Sequence, residues 1–130
     1  MDRLVPGLIG ESQTVVTEAN TAKHLGSGNV KVFATPEMVR LMEQAGVAAV
    51  DHLLPEEQRT VGMALDVKHL AATPPGMTVT ARAELIAVEG RRLTFRVEAF
   101  DEVEKVGEGT HQRYVIEVAS FQRRVAEKRK

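Results

Sequence analysis

Three side chains suited to moving protons or attacking a carbonyl stand out because of where the surrounding pattern places them. Glu43 is the one charge within an otherwise apolar arc of a predicted helix, His69 falls on the apolar face of a predicted strand, and Thr35 stands at the helix start. Burial desolvates a carboxylate and makes it a stronger base toward water or a stronger direct nucleophile. A neighbouring imidazole can orient that carboxylate or act as an acid. The sequence leaves both routes of attack open.

Each of these residues also has a purely structural interpretation. Glu43 could reach solvent at the edge of a crevice or pair with Arg113, and His69 could be a hydrogen-bonded core histidine. Thr35 could cap the helix, which is usually worth about 1 kcal/mol. Because backbone N–H groups in a first helical turn are free, a residue at this position could cap the helix and line an anion site together.

One long helix positions Thr35 and Glu43. Thr35-Pro36-Glu37 is a start signal, with a hydroxyl, a proline at the first helical position and an acid in the first turn, and the helix should end before Pro55. Steps of 100° predict a core-facing stripe of Met38, Leu41, Met42, Ala45, Ala49 and Leu53. A second apolar arc around Glu43 contains Val39, Gly46, Val47 and Val50. One sheet cannot cover both arcs, so the second arc, above all its three valines, predicts a subunit contact and a homodimer.

The remaining elements are predicted strands. Alternating apolar residues indicate strands over 8–18, 63–69, 77–85, 93–99 and about 106–118, and a short basic helix follows the last. The turns after the helix are too short for crossover helices, so the strands should form a mostly antiparallel sheet around it. The sequence therefore predicts an α+β fold and a single domain over residues 1–130.

Composition excludes several classes of partner. The chain has 17 Lys and Arg against 18 Asp and Glu, a formal net charge of -1, which gives no reason to expect a nucleic-acid or membrane partner. The histidines show no metal-ligand spacing, so neither a metal nor another cofactor is predicted. The basic residues at the end, Arg123, Arg124, Lys128, Arg129 and Lys130, are expected to be a solvated tail.

Two features favour the cytoplasm. The chain has no cysteine, which fits a reducing compartment. Its N-terminal apolar stretch over 4–9 is too short, and too broken by proline and glycine, for a signal-peptide core.

Three separated blocks resemble one known family. They are Val32-Phe33-Ala34-Thr35 with Met38-Val39 and Leu41-Met42-Glu43, then His69-Leu70-Ala71-Ala72-Thr73-Pro74-Pro75-Gly76, then Val88-Glu89-Gly90-Arg91-Arg92-Leu93 with Gly109-Thr110-His111. In this order they are similar to the fluoroacetyl-CoA thioesterase-like family of hot-dog-fold enzymes, over roughly residues 30 to 120. The order of strand, long helix and four strands is also that of the hot-dog fold.

The resemblance implies an acyl-CoA thioesterase that acts on a small acyl group. It implies catalytic roles for Thr35, Glu43 and His69, and substrate contacts at Gly62, Arg113 and Phe33. The chain differs from the fluoroacetyl-CoA enzyme in segment 26–31, where that enzyme bears aromatic residues and this chain has Gly-Ser-Gly-Asn-Val-Lys. A non-catalytic acyl-CoA-binding module on the same fold is the alternative.

Overall fold

One long helix and five strands make up most of the molecule. The computed structural model describes residues 3–129, with β1 (Ile9–Val15), α1 (Ala22–Leu25), α2 (Thr35–Val50), β2 (Gln58–His69), β3 (Thr78–Glu89), β4 (Arg92–Phe100), β5 (Lys105–Glu117) and α3 (Val118–Ala126). Single 3-10 turns cover Glu18–Asn20, Asp51–Leu53 and Glu127–Arg129. The predicted long helix, the five strands and the closing basic helix are confirmed. The short helix α1 lies between the first strand and the long helix, where no element is predicted.

The five strands form one antiparallel sheet in the order β1-β3-β4-β5-β2. Strands β3 and β4 form a hairpin that turns at Gly90, whose φ of 63° is the left-handed conformation that glycine adopts without strain. Helix α2 packs against all five strands, so the sheet curls around it. The predicted α+β architecture is confirmed, and β2 lies at an edge of the sheet.

The core lies between α2 and the concave face of the sheet. Met38, Leu41, Met42, Ala45 and Ala49 are buried there, as the predicted stripe requires. The prediction that the second arc faces a partner subunit is wrong at Val50. This side chain is 0% exposed and lies in the core of the single chain.

Two causes explain the correction at Val50. The residue has φ -131° and ψ -35°, which leaves helical geometry, so 100° steps no longer give its direction. The curled sheet also covers more of α2 than a flat one could, since a Cβ built at Gly46 would lie 3.4 Å from Arg113 Cδ and 3.5 Å from His111 Cδ2. Of the predicted arc, Val47 remains exposed and Val39 half-buried.

Gly10 lets β1 lie directly against the middle of α2. A Cβ at this position would collide with the backbone of Ala45 and Ala49. Only a residue without a side chain permits this approach. The contact holds α2 against the sheet just after Glu43.

The C-terminal helix α3 lies on the surface. None of its residues is buried, and Arg123, Arg124, Lys128 and Arg129 are exposed, whereas Lys130 lies outside the described residues. No helix within residues 3–129 combines the length and the apolar character needed to cross a membrane.

Candidate active site

Thr35 is the first residue of α2, and its hydroxyl is not used to cap the helix. The N-cap is Ala34, whose carbonyl accepts from the amides of Glu37 and Met38, both at 3.0 Å. The interpretation of Thr35 as the N-cap is therefore wrong, because the helix begins at Thr35 itself, one residue earlier than a capping threonine requires. The hydroxyl is left available for another partner.

That partner is His69, the last residue of β2. Thr35 Oγ1 and His69 Nδ1 share a hydrogen bond of 2.7 Å. The segment before α2 is held in place by two backbone bonds, from Phe33 N to Thr73 O at 2.8 Å and from Ala34 N to Asn20 O at 3.0 Å. Backbone anchoring thus fixes Thr35 opposite the end of β2.

The second ring nitrogen of His69 is available to a substrate. Nε2 is buried and has no hydrogen-bond partner within the described part of the chain. Burial lowers the pKa of His69 below its ordinary value of 6.5, so the neutral ring is favoured at pH 7. A neutral imidazole bonded through Nδ1 can present Nε2 as a donor or an acceptor.

The Thr35–His69 pair opens onto a cleft of about 340 Å³. Its wall is mostly small and apolar, formed by Ala22, Ser27, Val32, Phe33, Thr35, His69, Leu70, Ala71 and Ala72. Phe33 is among these residues although its side chain is largely buried. A mostly apolar cleft with one convergent polar pair has the composition of a small-ligand site.

Glu43 lies in a second cluster, with Gly62 and Arg113. Its side chain is 39% exposed, and Oε2 lies 3.6 Å from Arg113 Nη1. A Cβ built at Gly62 would come within 2.6 Å of the same Oε2. The glycine therefore leaves the space that the carboxylate occupies. Both structural alternatives for Glu43, solvent access and pairing with Arg113, describe its position, and at 39% exposure its carboxylate is not desolvated in the single chain as the helix pattern predicts.

Arg113 is held by a chain of hydrogen bonds. It is only 6% exposed; Nε donates to Thr60 Oγ1 at 2.8 Å and Nη2 donates to Thr60 O at 3.1 Å. Thr60 Oγ1 in turn donates to Asp51 Oδ1 at 2.6 Å. Burial lowers the pKa of Arg113, while the charges of Asp51 and Glu43 counteract that effect. A guanidinium stays protonated in such a setting, so a fixed positive charge lies beside Glu43.

A β-bulge shapes the strand next to Glu43. The β2–β5 register shifts between Gly62 and Ala64, and Met63 between them is 51% exposed. Strict alternation along the predicted strand over 63–69 would place Met63 on the same face as Leu65 and Val67, which are half-buried. The extra residue of a bulge interrupts that alternation, which explains the difference.

In one chain the six predicted site residues fall into two groups. Phe33, Thr35 and His69 lie at the cleft, whereas Glu43, Gly62 and Arg113 lie together further along α2. Thr35 and Glu43 stand eight positions apart on α2. At about 1.5 Å per residue this is roughly 12 Å, too far for both to contact one carbonyl. His111, which contacts Arg113, is absent from the predicted site; its only sequence signal is its place in the Gly-Thr-His block two residues before Arg113.

The described chain has neither a metal-ligand cluster nor one of the predicted site residues in its larger surface concavity. Among residues 3–129, no three or more His, Asp and Glu side chains are grouped closely enough to hold a metal ion. A larger concavity of about 490 Å³ lies elsewhere, around Lys68, Arg96, Glu98 and Glu108, and includes none of the six predicted residues. Five of its nine lining residues are charged and none is a histidine, so it lacks the Thr–His pair of the cleft.

We expect the folded protein to lose stability as the pH falls below about 6.5. Burial first, and then the Arg113 charge, lower the pKa of His111 below 6.5, against the raising effects of the Ala64 carbonyl and Glu43. The pKa of His69 is lowered as well. The unfolded chain takes up protons below 6.5 that the folded chain excludes, so the stability present above this pH is lost as the pH falls toward the lowered values.

Urea unfolding at several pH values measures this effect. The loss attributable to one histidine cannot exceed about 1.4 kcal/mol per pH unit. His111→Gln removes one of the two imidazole rings whose pKa is lowered, so the free energy of unfolding of this variant should fall less steeply as the pH is lowered. Equal slopes in the variant and the wild type would show that His111 does not contribute.

Five antiparallel strands wrapped around one long helix, with titratable groups along that helix, define a hot-dog domain with an enzyme-like site. A family model described as fluoroacetyl-CoA-specific thioesterase matches residues 16–119. A fluoroacetyl-CoA thioesterase from Streptantibioticus cattleyicolor is 45% identical, over 92% of this chain and 93% of that protein.

Solved structures agree with this match. A crystal structure of a phenylalanine-to-alanine variant of the fluoroacetyl-CoA-specific thioesterase is 42% identical, with a TM-score of 0.90 over 98% of this chain and 99% of that one. Its complex with fluoroacetate and CoA is 44% identical, with a TM-score of 0.85 over 91% and 99%. A thioesterase superfamily member from Thermus thermophilus is 32% identical, with a TM-score of 0.88 over 98% and 97%. This chain belongs to the fluoroacetyl-CoA-specific thioesterase family, and the predictions of that family, of the hot-dog fold and of an acyl-CoA thioester hydrolase are confirmed.

Proposed function

We propose that this chain hydrolyses a small acyl-CoA to the free acid and CoA, and that Thr35, Glu43 and His69 carry the reaction without a metal. The observation that carries the proposal is the Thr35–His69 hydrogen bond of 2.7 Å at the cleft, which leaves His69 Nε2 buried and without a partner in the described chain. A buried, unsatisfied ring nitrogen is costly unless a ligand uses it. A thioester supplies both a carbonyl oxygen and a leaving sulfur.

Each residue has one proposed part in the reaction. Glu43 supplies the attacking oxygen, either by taking a proton from water or by adding directly to the carbonyl carbon. With Thr35 donating to Nδ1, the His69 proton is on Nε2, from which it can pass to the departing thiolate as the C–S bond breaks. Pro36 has no N–H, and the amides of Glu37 and Met38 donate to Ala34 O, so the first-turn donor proposed for the developing oxyanion is the N–H of Thr35.

The same site is supported by three residues that take no part in bond making, namely Gly62, Arg113 and Phe33. Gly62 leaves room for the Glu43 carboxylate, and Arg113 holds it. Because Arg113 is buried and bonded to Thr60, it acts on Glu43 rather than on a phosphate of CoA. Phe33 contributes apolar wall to the cleft.

We further propose that the enzyme is a homodimer in which each site combines two subunits. The two halves of the site lie too far apart in one chain to meet on one substrate, so a second chain must supply the missing half. The exposed edge around Gly62 and Met63 of β2, together with Val47 of α2, offers a partner an apolar surface beside Glu43. A partner helix passing there would bring its own Thr35 toward Glu43.

The proposed location is the cytoplasm. A chain without cysteine forms no disulfide and is compatible with a reducing compartment. Its near-neutral formal charge of -1 also gives it no electrostatic attraction to membrane surfaces.

A panel of acyl-CoAs tests the reaction and its substrate. The cleft of about 340 Å³ is at the small end of ligand sites, so we expect kcat/KM to be highest for short acyl groups and to fall as the chain lengthens. The fluoroacetyl-CoA enzyme bears aromatic residues where segment 26–31 of this chain has none. We therefore expect little discrimination between small acyl groups, so acetyl-CoA and fluoroacetyl-CoA should both be hydrolysed. A thiol reagent reads the product cleanly, because the protein has no cysteine of its own. Folded protein that releases no thiol from any member of the panel would refute the proposal.

A further inference from the structure

His111 is a polar side chain in the centre of the molecule. It lies on β5, is 0% exposed, and stacks on Phe95 with 6.1 Å between ring centroids. Nδ1 lies 2.9 Å from Ala64 O and Nε2 lies 3.1 Å from Arg113 Nη1. An apolar ring could fill the same volume, so packing alone does not explain a histidine here.

The partners determine which ring nitrogen carries the proton. A carbonyl oxygen only accepts, so Nδ1 donates to Ala64 O. A guanidinium only donates, so Nε2 accepts from Arg113 Nη1. The ring is therefore neutral with its proton on Nδ1, and both of its polar atoms are satisfied.

The two hydrogen bonds of His111 reach Ala64 and Arg113, and both of these partners lie close to Glu43. The other two guanidinium nitrogens of Arg113, Nε and Nη2, donate to Thr60, which leaves Nη1 between His111 Nε2 at 3.1 Å and Glu43 Oε2 at 3.6 Å. Ala64 is the residue at which pairing resumes after the bulge that follows Gly62, the glycine closest to the carboxylate. One ring thus restrains both the cation and the strand segment that border Glu43.

We propose that His111 is a positioning residue for thioester hydrolysis, which sets the direction of Arg113 Nη1 and the path of the Gly62–Ala64 bulge so that the Glu43 carboxylate is held toward the substrate. This inference rests on the proposed role of Glu43. His111 itself does not touch the substrate, because its two nitrogens are occupied by Ala64 and Arg113.

The test compares three replacements of His111. His111→Phe keeps an aromatic ring on Phe95 and removes both polar contacts, so we expect kcat to fall about 10- to 100-fold with KM changed less than about threefold. His111→Gln offers an amide oxygen to Arg113 and an amide N–H to Ala64 O, and should recover most of the lost kcat. If His111→Phe does not fold, His111→Asn makes the same comparison, since it keeps a donor near Ala64 O and cannot reach Arg113.

Phe95→Leu is the matched control. It loosens packing against the same ring without removing a polar group, so it should lower the melting temperature and leave kcat of the folded protein near the wild-type value. A kcat loss in Phe95→Leu equal to that of the His111 variants, or a His111→Gln no more active than His111→Phe, would overturn the inference.

Glu43→Gln, measured in parallel, separates the two proposals. If Glu43→Gln is inactive but His111→Phe or His111→Asn keeps the wild-type kcat, the role of His111 is overturned and the proposed function stands. Wild-type kcat in Glu43→Gln overturns the proposed function of Glu43, and with it the inference.

Discussion

Glu43→Gln is expected to reduce kcat for thioester hydrolysis by about 10³-fold or more, because the amide can neither accept a proton from water nor attack a carbonyl. The replacement has nearly the same shape, and its oxygen can still face Arg113 Nη1, which lies 3.6 Å from Oε2 in the wild type. The fold and the affinity for CoA should therefore be retained. Thiol release and calorimetric titration with CoA measure the two properties separately.

Glu37→Gln is the matched control for this substitution. Glu37 lies on the same helix and pairs with Arg40 at 3.3 Å on the outside of the molecule. The same chemical change there should leave kcat unaltered and cost less than about 1 kcal/mol of stability. Full activity in Glu43→Gln would contradict the assignment of Glu43 and move the attacking group elsewhere in the site.

Local sequence signals predicted the elements well and the site in part. Proline and glycine placed the ends of α2 and the turns, because their backbone restrictions act within a few residues. The resemblance named the six site residues, and pattern alone singled out Glu43 as a charge on an apolar helix arc. These predictions depend only on residues close in sequence or on a motif.

The errors arise where long-range geometry decides. Thr35 bonds to His69, 34 residues away, so helix propensity could not reveal that its hydroxyl is not a cap. Val50 is buried because the sheet curls and the helix ends there, neither of which a helical projection contains. His111 meets Ala64 across 47 residues through a register that includes a bulge, and strand alternation does not predict a bulge. Its place in the site therefore needed the structure.

Because the site is divided into two halves, the second large predicted effect is the recovery of activity in a dimer that mixes two inactive variants. Thr35→Ala and Glu43→Gln are each expected to inactivate the homodimer. If every site takes Thr35 and His69 from one subunit and Glu43 from the other, a heterodimer of the two variants has one site with both lesions and one intact site. Random exchange makes half of the dimers mixed, so an equal mixture should regain about a quarter of wild-type activity.

A second pair of variants makes the experiment specific. Thr35 and His69 share a hydrogen bond of 2.7 Å within one chain, so they belong to the same half of a site. Mixing Thr35→Ala with His69→Ala should therefore restore nothing, since each site of that heterodimer keeps one lesion. Light scattering establishes the dimer, and mass spectrometry of differently tagged chains establishes exchange. Complete exchange with no recovery in the Thr35→Ala and Glu43→Gln mixture, or equal recovery in both mixtures, would exclude a site shared in this way and leave the thioesterase assignment unchanged.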